Sequence, residues 1–251
     1  MAVRRAALVT GASYGVGAAT ALALARGGFD IALTARQADH LADTVKKVEA
    51  EGAHARAFAL DLRVEANIAK VGAAVVAAFG RLDVLVNNAG ANLRKRAADV
   101  TAQEWDEVMA VNVRGTFFLT QHVGRQFIAS GRGGCVVNIA STHGLVGAAE
   151  RSTYGMSKAA LIQMTRMLAV EWAEHGIRVN AIAPGRIDTP SPSRAAKGGD
   201  RGYMDAMLKR IPLHRLASAE EVAATAAFLA SPAAASMTGQ VLVLDGGLTA
   251  A

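Results

Sequence analysis

Two side chains with acid–base chemistry, Tyr154 and Lys158, stand four residues apart in the segment Ser-Thr-Tyr-Gly-Met-Ser-Lys. If this segment is helical, residues i and i+4 share one face, so the lysine ammonium lies one turn from the tyrosine phenol. A free tyrosine titrates near pH ~10, and a nearby positive charge favours the phenolate and lowers that pKa. The spacing therefore predicts a proton donor and acceptor tuned toward neutral pH, although it also describes an ordinary surface pair.

Further polar residues precede this pair. Ser141 follows an apolar run and lies thirteen residues before Tyr154. Reduction of a carbonyl by hydride builds charge on oxygen, so hydroxyl donors at Ser141 and Tyr154 would stabilise the transition state. Asn112 falls in a predicted helix, where an inward polar side chain needs a partner, and we expect it to bend the helix and hold a water. His143 either faces the substrate or is a solvated loop residue.

A glycine-rich turn follows the first apolar strand, in the segment Thr-Gly-Ala-Ser-Tyr-Gly-Val-Gly that ends at Gly17. Its glycines let a backbone approach a pyrophosphate, and the N-terminus of the next helix favours that charge. The spacing G-x-x-x-G-x-G differs from the common G-x-G-x-x-G, and a plain turn is the alternative reading. The predicted nucleotide-binding residues here are Gly11, Ser13, Tyr14, Gly15, Val16 and Gly17.

The end of the second strand bears on cofactor choice. An acidic residue there would bind the ribose 2′-hydroxyl of NAD, but this chain has Ala35 followed by Arg36. An arginine at this place accommodates a 2′-phosphate, so the sequence favours NADP(H) over NAD(H). The alternative is an exposed loop arginine.

Two more strand ends contribute candidate cofactor contacts. Asp61, with Leu62 next to it, ends the third strand and is placed to bind an adenine amino group. Asn-Asn-Ala-Gly at residues 87–90 ends the fourth strand, and its small residues allow a ribose to approach the backbone. The alternative is that the asparagine side chains tie strands together. The candidates at this strand end are Asn88, Ala89 and Gly90.

Short apolar strands alternate with helical segments along the whole chain, and this predicts a parallel sheet covered on both faces. The expected fold class is α/β, a three-layer doubly wound sheet of the Rossmann type, with residues 1–251 as a single domain. Helices are predicted at residues 102–111, 113–129 and 152–174. A polar stretch at residues 191–202 predicts a substrate loop near residues 190–210, or else a surface insertion.

Composition excludes several classes of protein. No apolar run reaches the ~18 residues of a membrane span, the N-terminus leaves no room for a signal peptide, and Cys135 is the only cysteine. These features predict a cytoplasmic protein without a membrane partner. The net charge of +6 comes from scattered residues, so nucleic acid is not an expected partner. No cluster of His, Cys and acidic residues has the spacing of metal ligands.

Taken together, these elements resemble the short-chain dehydrogenase/reductase family in its single-domain branch of about 250 residues. The resemblance runs from Leu8 to Gly247. Its motifs are the glycine-rich turn, Asp61, residues 87–90, Asn112, Ser141, Tyr154 with Lys158, Pro184-Gly185 and Thr189.

The resemblance implies a role for each catalytic residue. Tyr154 is the general acid/base, and Ser141 hydrogen-bonds the substrate oxygen. Lys158 holds the nicotinamide ribose and lowers the Tyr154 pKa, while Asn112 orders a water in a proton relay. The segment with Pro184, Gly185, Ile187 and Thr189 lies over the nicotinamide. One departure concerns the cofactor: members that prefer NADP often carry Arg or Lys where this chain has Tyr14.

The expected function is therefore transfer of a hydride between NADP(H) and a carbonyl or secondary alcohol. A 3-oxoacyl thioester, a sugar or sugar acid, and a small ketone remain candidate substrates. Basic loop residues such as Arg94, Lys95, Arg151 and Arg194 either attract an acidic or acyl-carrier substrate or face water. A non-catalytic NADP-binding protein on the same fold is the alternative. A sugar-nucleotide epimerase is disfavoured, because the chain after Thr189 is too short for an added substrate domain. The resemblance also implies a homotetramer with subunit contacts on the helices at residues 113–129 and 157–168.

Overall fold

Seven strands form one parallel sheet in the order β3-β2-β1-β4-β5-β6-β9 in the computed structural model, which describes residues 4–188 and 206–250. The strands are β1 (Arg5–Thr10), β2 (Phe29–Ala35), β3 (Ala55–Ala59), β4 (Val84–Asn87), β5 (Gly134–Ile139), β6 (Ile177–Pro184), β7 (Ile187–Asp188), β8 (Ala217–Ser218) and β9 (Val241–Leu244). The helices are α1 (Gly15–Arg26), α2 (Ala42–Ala50), α3 (Glu65–Phe79), α4 (Ala102–Met109), α5 (Thr116–Ser130), α6 (Ser152–Glu171) and α7 (Ala219–Ala230).

This arrangement confirms the predicted doubly wound α/β class. The strand order reverses between β1 and β4, which lie side by side in parallel register from Ala7 against Val84. Ligands of such sheets bind beyond the carboxyl ends of the strands, near the point of reversal. The turn after β1 and the segment after β4 both meet at that edge.

Successive residues of each strand enter different cores, because side chains alternate between the two faces of a sheet. Val9 packs in one core with Leu24 of α1 and Leu229 of α7. Leu8 packs in the other core with Leu119 of α5. The strands β1, β2, β4, β5 and β6 are buried on both faces, which explains their continuous apolar sequences, whereas the edge strands β3 and β9 are partly exposed.

A π-helical segment, Ala110–Gly115, joins α4 to α5. The sequence predicts a bend at Asn112. At that residue the structure has a π-helical turn, which contains more residues than an α-helical turn. A Cβ at Gly115 would overlap the Leu62 carbonyl, so the segment approaches the end of β3 more closely than a larger residue allows. Single π-turns within α-helices are frequent at functional sites.

The sequence did not predict the two short strands β7 and β8, which pair in parallel at Ile187 against Ala217. They join the segment after β6 to the start of α7. The proposed substrate loop falls between them, and residues 189–205 lie outside the described residues. Within residues 4–188 and 206–250, every helix is too short or too polar to serve as a membrane-spanning segment.

Candidate active site

A cavity of about 220 Å³ lies at the carboxyl edge of the sheet. Residues from the turn after β1, from the ends of β4, β5 and β6, and from α6 line it, so it gathers predicted site residues that are far apart in sequence. The lining residues are Val16, Asn88, Gly90, Ala91, Asn92, Ile139, Ala140, Ser141, Tyr154, Lys158, Pro184, Gly185 and Ile187.

Tyr154 and Lys158 share one face of α6, as their spacing predicts. The Lys158 Nζ lies 5.8 Å from the centroid of the Tyr154 ring. Lys158 is buried, and its Nζ donates a hydrogen bond of 2.7 Å to the Ile139 carbonyl oxygen at the end of β5. This hydrogen bond fixes the ammonium between the helix and the strand end, because a buried charge needs a polar partner.

Burial sets the pKa values of both groups. It lowers the pKa of Lys158 to about 8, because the charged ammonium is removed from water. Burial also raises the pKa of the Tyr154 phenol, while a hydrogen bond with Ser141 and the charge of Arg151 act in the lowering direction. The expectation that Lys158 brings the Tyr154 pKa below its usual value is therefore wrong for the protein groups alone, because removal of the phenol from water outweighs the nearby charges.

Ser141 is the second residue after β5, and its side chain is buried near Tyr154. Its Oγ accepts a hydrogen bond of 3.2 Å from the His143 backbone N–H, and its side chain acts on the phenol in the direction that lowers the Tyr154 pKa. Two hydroxyl groups thus converge at one end of the cavity, as donors aimed at a single oxygen require.

Asn112 is buried at the π-helical segment and connects three parts of the site. Its Nδ2 donates to the Ala91 carbonyl oxygen and to the Ser157 Oγ, both at 2.9 Å, and its Oδ1 accepts from the Ala91 N–H at 2.7 Å. Ser157 in turn donates to the Tyr154 carbonyl oxygen at 2.7 Å. A π-helical segment contains Asn112, while the bend of the helix and the water at Asn112 stay predictions. Sequence reasoning missed Ser157, whose only signal is a polar residue on the buried face of α6.

The glycine-rich turn has the geometry that its composition predicts. Gly11 and Gly15 have φ of +63° and +59°, in the left-handed region that favours glycine. A Cβ at Gly17 would overlap the Gly11 carbonyl oxygen. The side chain of Tyr14, the residue before α1, is exposed and does not cap the helix. The N-terminus of α1 therefore suits a phosphate group, which needs backbone donors and close approach.

Asn87 and Asn88 both use their side chains to hold strands and turns. Asn88 Nδ2 donates to the Thr10 and Gly11 carbonyl oxygens, each at 2.9 Å. Asn87 Nδ2 donates to Asn138 Oδ1 and Thr120 Oγ1, each at 2.8 Å. The side chains thus have the strand-tying role that the sequence left open, while Asn88 also lines the cavity.

Charged residues cluster where β2 and β3 end. Arg36 is exposed, as the sequence allows. Asp61 is bound by Arg63, whose Nε lies 2.9 Å from Asp61 Oδ1. This hydrogen bond holds the pKa of Asp61 below its usual value, and the charge of Arg36 contributes in the same direction. Arg63 was missed because nothing in its sequence position marks it as a partner. The Leu62 side chain is buried, and Ala89 packs against the same core.

His143 lies beside the tyrosine and not on a fully solvated loop. Its ring centroid is 6.0 Å from that of Tyr154, with the rings edge to face. Burial lowers the His143 pKa, and the positive charge of Arg151 lowers it further. Thr189 and Arg194 lie outside the described residues.

No group of three or more His, Cys, Asp or Glu residues with metal-binding geometry occurs within residues 4–188 and 206–250. Cys135 is buried, and its burial raises the thiol pKa to about 11, so it behaves as a core residue. The arrangement at the cavity can move a proton at Tyr154 and polarise an oxygen with two hydroxyl groups.

Comparison with known proteins finds relatives along nearly the whole chain. A family model described as enoyl-(acyl carrier protein) reductase matches residues 11–249. D-threitol dehydrogenase of Mycolicibacterium smegmatis is 42% identical over 248 residues, covering 98% of this chain and 93% of the relative.

Two solved structures have the same fold over nearly their whole length. One, from Agrobacterium tumefaciens, is named for 2-deoxy-D-gluconate 3-dehydrogenase activity and contains NADP; it has a TM-score of 0.89 at 38% identity and covers 98% of this chain and 97% of its own. The other is 3-oxoacyl-[acyl-carrier protein] reductase of Brucella melitensis in complex with NAD. It has a TM-score of 0.91 at 34% identity, and the match covers 99% of this chain and 98% of the reductase chain.

Proposed function

Because the chain belongs to the short-chain dehydrogenase/reductase family, we propose that this NAD(P)-dependent oxidoreductase uses NADP(H) and employs Tyr154 as its general acid/base. The observation that carries the proposal is the convergence of the Tyr154 phenol and the Ser141 hydroxyl in a cavity that also contains Lys158. The substrate is a carbonyl compound or the corresponding secondary alcohol. A panel of ketones and polyols followed at the nicotinamide absorbance, with NADPH and with NADH, tests the activity.

In the reducing direction, the substrate oxygen receives hydrogen bonds from Ser141 and Tyr154, and Tyr154 gives its proton to the forming alkoxide. In the oxidising direction, the phenolate accepts that proton. When bound, the nicotinamide supplies the hydride donor or acceptor. The raised pKa of Tyr154 keeps the phenol protonated, which suits the proton-donating direction.

Lys158 and Asn112 have supporting roles in this proposal. Lys158 holds the nicotinamide ribose, and its hydrogen bond to the Ile139 carbonyl, beside the cavity that both residues line, supports this role. Asn112 orders a water that returns protons to the site. The Asn112–Ser157 hydrogen bond, which leads to the Tyr154 backbone, supports a place for Asn112 beside the acid/base.

The residues present fit a dinucleotide, because the uncapped helix α1 and the glycine-rich turn provide a phosphate cradle. The turn contacts the end of β2 through the hydrogen bond from the Ala12 N–H to the Thr34 carbonyl oxygen, and the exposed Arg36 follows that strand. Pro184, Gly185 and Ile187 line the cavity at the end of β6 and would hold the nicotinamide. The proposed cofactor contacts are Gly11, Ser13, Tyr14, Gly15, Val16, Gly17, Arg36, Asp61, Leu62, Asn88, Ala89, Gly90, Tyr154, Lys158, Pro184, Gly185, Ile187 and Thr189.

Arg36→Asp should weaken the use of NADPH much more than the use of NADH. The arginine would pair with the 2′-phosphate, whereas an aspartate repels it and can bind the 2′-hydroxyl of NAD. We expect kcat/KM with NADPH to fall about 100-fold or more, and with NADH to change little. Arg132→Asp makes the same charge change at an exposed loop before β5 and serves as the control. Equal losses with both cofactors would remove Arg36 from the cofactor proposal.

Three substrate classes remain within the proposal: 3-oxoacyl thioesters, sugars or sugar acids, and small ketones. The compared proteins are named for a polyol, a sugar acid and an acyl-carrier substrate, so they favour no single class. The alternative of a non-catalytic NADP-binding protein predicts nucleotide binding without turnover of any member of the panel. The presence of Ser141, Tyr154 and Lys158 in one cavity disfavours that alternative.

The proposed homotetramer uses the outer faces of α5 and α6. These faces expose Phe117, Ile128, Met156, Met167 and Val170, and Val170 is 82% exposed. A subunit contact on these helices would cover these exposed apolar side chains. Light scattering of the purified protein at micromolar concentration should give four times the monomer mass of 25.9 kDa.

Val170→Asp should shift this mass toward dimer or monomer, because it places a charge in the proposed interface. Val64→Asp, at an exposed valine before α3, is the control and should leave the mass unchanged. A monomer mass for the unaltered protein would contradict the tetramer.

The remaining parts of the proposal rest on the sequence. They are a single domain spanning residues 1–251, a substrate loop near residues 190–210 and a cytoplasmic location, which fits a chain with one buried cysteine. Limited proteolysis with and without NADPH tests the first two, because ligand binding at the loop should protect it from cleavage.

A further inference from the structure

Asn92 lines the cavity together with Ser141 and Tyr154, on the side formed by the segment after β4. The strands β4 and β5 are neighbours in the sheet, so the segments that follow them leave its carboxyl edge side by side. One of these segments carries Asn92 and the other carries Ser141. A small substrate whose oxygen is bound by Ser141 and Tyr154 would therefore have the Asn92 side chain as part of the wall around it.

The Asn92 amide has a defined orientation. Its Oδ1 accepts a hydrogen bond of 2.6 Å from Arg151 Nη1. An arginine side chain only donates hydrogen bonds, so the amide oxygen is the atom that faces Arg151, and the Nδ2 group keeps its two N–H donors. Within residues 4–188 and 206–250, Asn92 Nδ2 donates to no protein acceptor. It is therefore the polar atom of this side chain that a ligand in the cavity can engage.

The backbone on both sides of Asn92 is held in place. The preceding residue, Ala91, donates its N–H to Asn112 Oδ1 at 2.7 Å and accepts from Asn112 Nδ2 at 2.9 Å. The carbonyl oxygen of the following residue, Leu93, accepts from Arg151 Nη1 at 3.4 Å. A donor on such a fixed segment loses little conformational entropy when it binds a ligand, so its hydrogen bond contributes more to affinity.

We propose that Asn92 determines substrate specificity by donating a hydrogen bond from Nδ2 to a second oxygen atom of the substrate, close to the reacting carbon. Hydroxyl and carbonyl oxygens both accept such a bond, and a neutral amide requires no charge on its partner. The inference rests on the proposed oxidoreductase function. Within its substrate classes, it selects sugars, sugar acids and 3-oxoacyl thioesters over ketones that have a single oxygen.

Matched pairs of neutral ketones that differ only in their further oxygen test the inference. Hydroxyacetone with acetone and 1-hydroxy-2-butanone with 2-butanone test a hydroxyl oxygen. Ethyl acetoacetate with 2-heptanone, which has the same chain length, tests a carbonyl oxygen. Each ketone is reduced by the full-length protein at saturating NADPH. We expect kcat/KM to favour the oxygen-rich member of at least one kind of pair about 3- to 10-fold.

Asn92→Leu should lower this preference about 3- to 10-fold, because leucine has a similar volume and no donor. The preference is a ratio of kcat/KM within a pair, so a general effect of the substitution on NADPH binding or on Tyr154 cancels. Gln103→Leu also replaces an amide by leucine, at an exposed residue of α4, and should leave the ratio unchanged. Thermal melting shows whether each variant is folded. Asn92→Ala removes the donor without adding bulk and answers the question if the leucine variant does not fold.

Asn92→Asp distinguishes the two kinds of second oxygen. It keeps an oxygen for Arg151 but places an acceptor where Nδ2 stood. A substrate hydroxyl can donate to that acceptor, whereas a substrate carbonyl cannot. The variant should therefore keep a preference for the hydroxyketones and lose a preference for the ester, which separates sugars and sugar acids from 3-oxoacyl thioesters.

Two outcomes would overturn the inference. One is equal kcat/KM for both members of every pair in the unaltered protein, and the other is a preference that Asn92→Leu and Asn92→Ala both retain. Asn92 would then only hold Arg151. In either case the protein still transfers hydride, so the proposed function stands. Absence of turnover with every substrate class would instead contradict the proposed function, and the inference with it.

Discussion

Tyr154→Phe should reduce kcat by at least about 10²- to 10⁴-fold, because the variant loses the proton donor and acceptor while keeping the aromatic ring. The phenol and Ser141 form the only hydroxyl pair that the described residues bring together in the cavity lining. Substitution by phenylalanine removes one oxygen atom and preserves packing on α6. The measurement is steady-state turnover of the best substrate from the ketone and polyol panel.

The variant must be folded and must bind nucleotide for this loss to be interpretable. We expect its melting temperature and its NADPH affinity to match those of the unaltered protein. Thr153→Val is a matched control, because Thr153 is the neighbouring residue on α6, is buried, and its Oγ1 has no hydrogen-bond partner within the described residues. This control should keep its activity. A fully active Tyr154→Phe variant would contradict the acid/base assignment.

Lys158→Met should abolish most turnover and weaken nucleotide binding, yet stabilise the fold at neutral pH. Lys158 is buried, and its pKa falls from 10.5 to about 8 because the folded protein disfavours the charged form. This shift corresponds to a penalty on the order of 3 kcal/mol in the free energy of unfolding. Methionine fills a similar volume without that penalty, although it leaves the Ile139 carbonyl without its hydrogen bond. We expect a net gain of about 1–2 kcal/mol.

The gain should depend on pH in a defined direction. Below about pH 8, both the folded and the unfolded lysine are protonated, so the full penalty is present. Between about pH 8 and 10.5, the folded protein releases the proton while the unfolded chain keeps it, so the unaltered protein becomes more stable relative to the variant. The advantage of methionine should therefore be largest below pH 8 and shrink as pH rises toward 10.5.

Urea unfolding at 25 °C from pH 7 to pH 10 measures this difference. Lys70→Met, at an exposed lysine on α3, is the control and should show no comparable pH-dependent gain. If Lys158→Met is less stable than the unaltered protein at pH 7, the buried ammonium does not carry the penalty that its pKa implies. Loss of activity together with a gain in stability would show that the lysine is retained for function.

Much of the fold was predictable because its signals are local. The alternation of apolar strands with helical segments in the sequence predicted the parallel sheet. The helix α6 begins at Ser152, as predicted. Two elements could not be anticipated in the same way. The pairing of β7 with β8 depends on residues thirty positions apart, such as Ile187 and Ala217, and the π-helical segment depends on the approach of Gly115 to the Leu62 carbonyl.

The candidate site was predictable in its members but only partly in its interactions. Spacing on α6 placed Lys158 near Tyr154, since helical periodicity fixes the distance between i and i+4. The contact of Arg63 with Asp61 and that of Ser157 with Asn112 carry no distinctive sequence signal. Both involve common polar residues whose partners are chosen by packing.

The amino-acid sequence by itself determined the fold class, the glycine-rich turn and the face that Tyr154 shares with Lys158, because periodicity and turn geometry act over a few residues. Only the tertiary structure decided that Lys158 binds the Ile139 carbonyl, that Arg151 lies beside Asn92, and that the Tyr154 pKa rises. Hydration and electrostatic fields depend on every group that surrounds a side chain, and at this site those groups come from strands and helices that are distant in sequence.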